Sequence, residues 1–190
     1  MLKRTLQNLA VILMVLLFQT GVALAEKSIP KTGDPAWDTL SQVKKDGILK
    51  LYDIVVVDRP ELKPVADDFV EWRLKEMEYD TKRFQYMSDK HPDMIIRDKG
   101  LYAFVNLDWF PEFSEELSRK DPAFAELAKK VKTLKAELDK SKNFKVFEEF
   151  INNLNKDEKY KEKVDHFLSE MNKVSKILTS GAAKMTHKEK

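Results

Sequence analysis

The densest set of side chains able to do chemistry or grip a ligand falls in residues 64–90. Read as a helix, one face begins apolar at Val65, Phe69 and Trp72 and continues through Glu76, Tyr79, Asp80, Arg83 and Met87. Charges at the centre of a face that ought to pack are costly unless paired. Two arrangements meet that cost. In one, Arg83 bridges Asp80 and Glu76 as a partly exposed ion network; in the other, Trp72, Glu76, Tyr79, Asp80 and Arg83 wall a polar-aromatic pocket. Trp109 is the sixth candidate ligand-binding residue. It lies in Leu101–Phe113, LYAFVNLDWFPEF, a segment apolar on nearly every side that reads as core and offers only Asn106 and Asp108 as polar groups. An aromatic-lined cavity around Trp72, Trp109 and Phe113 is the ligand-binding form of the same segment.

Other chemistries find little support. The chain has no cysteine, hence no thiol nucleophile, thiolate metal site or disulfide. Glycine is too scarce for a phosphate-cradling loop, and no Gly-x-Ser-x-Gly turn accompanies the three histidines. Glu162, His166 and Glu170 share a helix face at metal-ligand spacing, but that face lies about 120° from the apolar stripe and reads as solvated. The doublets Asp67-Asp68, Glu115-Glu116 and Glu148-Glu149 point about 100° apart on a helix, so none is an acid/base pair. No catalytic residue, metal or cofactor is expected.

The elements that must position these groups are helical. Lys3 and Arg4, an apolar run Leu9–Phe18 and the small residues Ala23 and Ala25 form the pattern of a secretory signal peptide over residues 1–25, cleaved after Ala25. The run is too short to span roughly 30 Å of hydrocarbon, and no cysteine follows it, so neither stable membrane insertion after cleavage nor a lipid anchor is expected. The remaining residues suit a single helical domain over 26–180. Residues 26–33 read as a flexible lead-in. Asp34-Pro35 starts a helix with the stripe Trp37, Leu40, Val43, Ile48, Leu51 and Val55, weakened by Gly47 and by the β-branched run Ile54–Val57. Residues 58–64 form a turn, and a long helix then runs to Lys90, ended by His91-Pro92. Whether residues 94–110 are helix or strand stays open at this level. Pro111 opens a short helix reaching Arg119. DPAF at 121–124, SKNF at 141–144 and DEKY at 157–160 each place a capping Asp or Ser three residues before an aromatic, predicting three consecutive antiparallel helices. Ser180-Gly181 is expected to stop the last one and leave 181–190 as a disordered tail. The fold class is therefore all-α, an antiparallel bundle of about five to six helices.

Charge is balanced overall and uneven locally. Without residues 1–25 the chain has 32 basic and 32 acidic residues, so no global field gathers nucleic acid. Residues 119–145 hold nine basic and four acidic residues, whereas 58–89 hold six and nine. Either the two segments face each other, or the basic run 129–135 meets an anionic envelope surface. Lack of cysteine and of N-x-Ser/Thr sites points to a bacterial periplasm or exterior. The function expected first is an exported, non-enzymatic accessory protein with a protein partner in the cell envelope. A carrier of a small molecule or lipid is the alternative. An enzyme using Glu76 and Asp80 is the third reading.

Overall fold

A computed structural model describes residues 29–105 and 111–186. The signal-peptide pattern, Asn106, Asp108, Trp109 and residues 187–190 lie outside the described residues. Among those described there is no strand, and six helices have ten residues or more. In chain order the helices are α1 (Pro35–Asp58), α2 (Lys63–Lys90), α3 (Gly100–Val105), α4 (Pro111–Lys120), α5 (Pro122–Lys140), α6 (Phe144–Asn153) and α7 (Glu158–Thr186). Single 3-10 turns at Pro60–Leu62, Pro92–Met94 and Leu154–Lys156 join some of them.

Local chemistry explains most of these boundaries. Asp34 Oδ1 accepts hydrogen bonds from the Ala36 and Trp37 amides at 3.0 Å, and Pro35 occupies the first helical turn, where its missing N–H costs nothing. The other oxygen of Asp34 pairs with Arg97, whose guanidinium lies 5.4 Å from the Phe104 ring centre and so ties the segment before α3 to the start of α1. Asp121 caps α5 through the Ala123 and Phe124 amides, and Asp157 accepts from the Lys159 amide. The expected cap from Ser141 does not form. Ser141 closes α5 instead, its carbonyl accepts from the Phe144 amide at 3.1 Å, and α6 begins without a side-chain cap. The residues before α1 are not a loose lead-in from Ile29 onward. Ile29 packs beside Ile48 and Val70, and the Thr32 and Gly33 amides donate to Asp38. Nor does Ser180-Gly181 end the last helix, which continues to Thr186. A helical glycine costs only about 1 kcal/mol, and Ala182, Ala183 and Lys184 that follow are strong helix formers.

Four long helices form a layer in the order α7, α1, α2, α5. Trp37 near the start of α1 stacks on Phe84 near the end of α2, with ring centres 4.2 Å apart, while Val55 at the other end of α1 shares a core cluster with Val65 at the start of α2. The two helices are therefore antiparallel. By the same logic α7 runs antiparallel to α1, with Tyr160 beside Ile54 and Leu178 beside Trp37. Helix α5 runs antiparallel to α2, with Phe124 stacked on Tyr79 and Lys135 lying over Trp72. The expected sequence of three neighbouring antiparallel helices after residue 121 is thus corrected. The helices exist, but α5 docks on α2 and α7 on α1, with short α6 crossing between them. Charge favours this pairing: Lys130 of basic α5 meets Glu71 of acidic α2 at 3.2 Å, and a pair of the opposite sense, Lys82 of α2 with the α5 cap Asp121 at 3.7 Å, joins the other end.

The main core sits where α1, α2, α3 and α7 meet, with Trp37, Phe84 and Phe104 at its centre. Phe104 is fully buried, as the core reading of Leu101–Phe113 expects for that ring. Thr81, the one fully buried polar side chain among the described residues, accepts the Trp37 indole N–H at 3.2 Å. The buried face of α2 is Val70, Leu74, Met77, Thr81 and Phe84. Of the stripe read from the sequence, Val65 and Met87 at its ends are buried as well, whereas Phe69, Trp72, Glu76, Tyr79, Asp80 and Arg83 lie half-buried beside that face. Helix α2 is flanked on both sides and has two packing faces, of which the sequence pattern shows the more aromatic one.

Candidate functional site

The five candidate residues on α2 do not form a single pocket. They divide between two clefts on α2 and an ionic seam between the clefts. Tyr79 and Arg83 line a polar cleft of about 650 Å³ between α2, α4 and α5, together with Ser114, Ser118, Arg119 and Lys132. Trp72 lines a second, open cleft of about 690 Å³ between α1, α2, α6 and α7, with Lys135 of α5 also on its lining. Glu76 and Asp80 line neither. Trp109 lies outside the described residues, and so does any contact it makes.

The seam is a half-buried ion network. Arg83 pairs with Asp80 at 3.3 Å and also lies over the Tyr79 ring at 5.1 Å. Glu76 pairs instead with Arg73, three residues earlier, so the expected Arg83 bridge to both carboxylates is corrected; a spacing of one turn is easier to span than two. Lys44 reaches the same region from α1. Burial pushes the Lys44 ammonium below its usual range, opposed by the attraction of Asp80. Burial likewise pushes Asp80 and Glu76 above the usual carboxylate range, with Arg83 and Arg73 respectively pulling them back. Carboxyls that hold a proton longer have the property of a general acid. Each here is turned toward a guanidinium and away from both clefts, which suits structure better than proton transfer to a substrate.

The second cleft has the physical character of a ligand site. Its floor is aliphatic and aromatic, supplied by Ile48, Leu51 and Ile54 of α1 and Phe69 and Trp72 of α2. Its walls are Phe147 and Ile151 of α6 and Val164 and Phe167 of α7. The floor spacing follows the α1 stripe at i, i+3 and i+6, so the helix that builds the core also presents this surface. Gly47 lets α7 approach closely: a Cβ there would stand 2.7 Å from Phe167 Cε2. Sequence reading found Trp72 but missed these walls. The available signal was Gly47 itself, a glycine inside an otherwise regular stripe, which marks close approach by another element.

The other residues weighed for chemistry sit apart. His166 and Glu162 are exposed on α7, where His166 Nδ1 lies 3.3 Å from Lys50 Nζ and Glu170 pairs with Lys173. No group of three or more His, Asp or Glu side chains is arranged to hold a metal ion among the described residues. No helix of the described residues is long and apolar enough to cross a membrane. Comparison with protein-family models, curated proteins and solved structures finds no match to this chain.

Proposed function

We propose that the chain is an exported, non-enzymatic binding protein that carries a small ligand with a substantial apolar part in the cleft between α1, α2, α6 and α7. The observation that carries this reading is the cleft itself. At about 690 Å³ it falls within the 300–1,000 Å³ range of small-molecule sites, and its lining is chiefly aliphatic and aromatic. Export rests on the basic, apolar and small-residue pattern of residues 1–25. An accessory protein with a protein partner in the envelope would instead call for a contiguous exposed apolar patch. Among the described residues the large exposed apolar side chains are Val57, Met94, Val146 and Leu168, one on each of four different elements. That distribution supports the carrier over the partner-binding reading.

The neutral probe N-phenyl-1-naphthylamine tests this directly. Its fluorescence should rise saturably with one molecule bound per chain. The response should be lost in Val164→Trp and in Ile151→Trp, each of which fills the cleft from a half-buried wall position. No saturable response, or one that both cleft-filling variants leave intact while circular dichroism shows them folded, would refute the assignment.

A further inference from the structure

We infer that the ligand is a single-chain anionic amphiphile, its head held by Lys44, Arg73 and Lys135 and its chain laid along α1 toward Ile54. The inference rests on the carrier reading and specifies what is carried. Among the described residues, five cationic side chains line the cleft, Lys44, Lys50, Arg73, Lys135 and Lys163, against one carboxylate, Glu148. A neutral apolar ligand needs no such excess, whereas an anionic one gains from it.

The cations are not evenly spread. Lys44, Arg73 and Lys135 come from three different helices and all line the cleft, Arg73 and Lys135 both beside Trp72 and Lys44 one turn before Ile48 on α1. Arg73 lies 5.2 Å and Lys135 5.3 Å from the Trp72 ring centre, which places both at the border of its apolar surface. Arg73 is already paired with Glu76, and Lys135 with Asp139 one turn along its own helix, so an incoming anion would share these two cations with their carboxylates. Lys44, by contrast, has no carboxylate of a described residue within ion-pair distance, and burial disfavours its charge. An incoming anion beside it would relieve that imbalance.

From Lys44 the lining continues along α1 through Ile48 and Leu51 to Ile54, with Leu154 closing the far end. Ten residues of helix rise give a trough of about 15 Å. Lys50 and Lys163 line the cleft further along, Lys163 near Asp58, so what fits a hydrocarbon chain is the apolar floor Ile48, Leu51 and Ile54, and what fits its charged group is the end where Lys44, Arg73 and Lys135 lie. The carboxylate of a free fatty acid and the phosphate of an anionic lysolipid share this chemistry.

Isothermal titration of the full chain with monomeric laurate, 1-dodecanol and lysophosphatidylglycerol distinguishes these sources. Laurate, lysophosphatidylglycerol or both should bind at one per chain, at least about tenfold more tightly than dodecanol. Shortening the carboxylate should weaken binding about fourfold per methylene removed. Lys44→Met and Lys135→Met should each reduce laurate affinity and leave N-phenyl-1-naphthylamine binding intact; exposed Lys161, outside the cleft, provides the control variant Lys161→Met. Equal affinity for laurate and dodecanol would overturn the head-group assignment while the carrier reading stands. Loss of the neutral probe as well would remove the carrier reading beneath it. Sedimentation with phosphatidylglycerol vesicles without binding of either monomeric anion would also overturn the inference, because it would make the basic groups a membrane-facing surface.

Discussion

Replacing Gly47 with alanine sets two opposed effects against each other, and the structure predicts which wins. Gly47 sits mid-way along α1, where alanine should stabilise the helix by about 1 kcal/mol through reduced backbone freedom in the unfolded chain. The new methyl, however, would lie 2.7 Å from Phe167 Cε2 and 3.0 Å from Cδ2. Carbon atoms in good contact stand about 3.5–4.0 Å apart, so the ring or all of α7 must move by close to an ångström. Overpacking of that kind costs about 1–3 kcal/mol. The balance for Gly47→Ala is therefore a loss of roughly 1 kcal/mol, or about 2–4 °C in Tm for a chain of this size. Phe167→Ala alone should cost roughly 2 kcal/mol, less than a fully buried ring because Phe167 is half-exposed. On that background the steric term vanishes, and Gly47→Ala should raise stability by about 1 kcal/mol. Urea denaturation of the two single variants and the double variant closes the cycle, with an expected coupling of roughly 2 kcal/mol. If Gly47→Ala stabilises the otherwise unaltered protein by the full helical increment, α7 is not seated on α1 as described, and the cleft loses one of its walls.

Asp34→Ala should lower stability by about 2 kcal/mol in denaturant titration, since it removes both the α1 cap and the partner of Arg97; Asp34→Asn, which can still cap, should lose about half as much. The contact of Asp58 with Lys159 and Tyr160 should show in the pH dependence of stability. Lys159 and then the Tyr160 hydroxyl hold Asp58 below its ordinary 3.8, so its contribution is present above that value and fades as pH falls through the lower folded value; the same contact holds Lys159 above 10.5, so the contribution also fades as pH rises through that higher value. The difference in urea midpoint between the unaltered chain and Asp58→Asn should thus be flat through neutral pH and shrink in acid. A difference that grows on acidification would contradict the contact.

What the sequence made legible was what is decided within four residues. Asp34-Pro35, Asp121-Pro122 and Asp157 announced helix starts because a capping oxygen needs only the amides two and three positions ahead. Phe124, Phe144 and Tyr160 were recognisable as anchors one turn in, and all three are buried. Legibility failed where the partner is far along the chain. Nothing near residue 121 says that α5 will lie against α2, although the opposite charge excess of the two segments hinted at it. Trp72 and Arg83 shared a face by counting, yet α5 and α6 divide that face between two clefts. Lys44 was invisible as a site residue because what surrounds it, Glu76, Asp80 and Arg73, arrives from about thirty positions later in the chain.

The cleft follows from a mismatch of lengths. Helix α1 has 24 residues and α2 has 28, about 36 and 42 Å at the usual helical rise, whereas α6 has ten, about 15 Å. Helix α6 crosses the layer at one end, burying Phe144 and Phe147 against Val55, Val65 and Leu138, and leaves the middle of the α1–α2 surface without a covering helix. A fully packed protein would have closed that surface with a longer α6 or with apolar residues in place of Lys44, Arg73 and Glu76. Half-buried charges are poor stabilisers, because desolvation takes back most of what pairing gives. Lys44 and Arg73 line one end of the apolar trough, with Glu76 paired to Arg73 beside it; there they contribute little to holding the helices together and leave the proposed anionic ligand a place to bind.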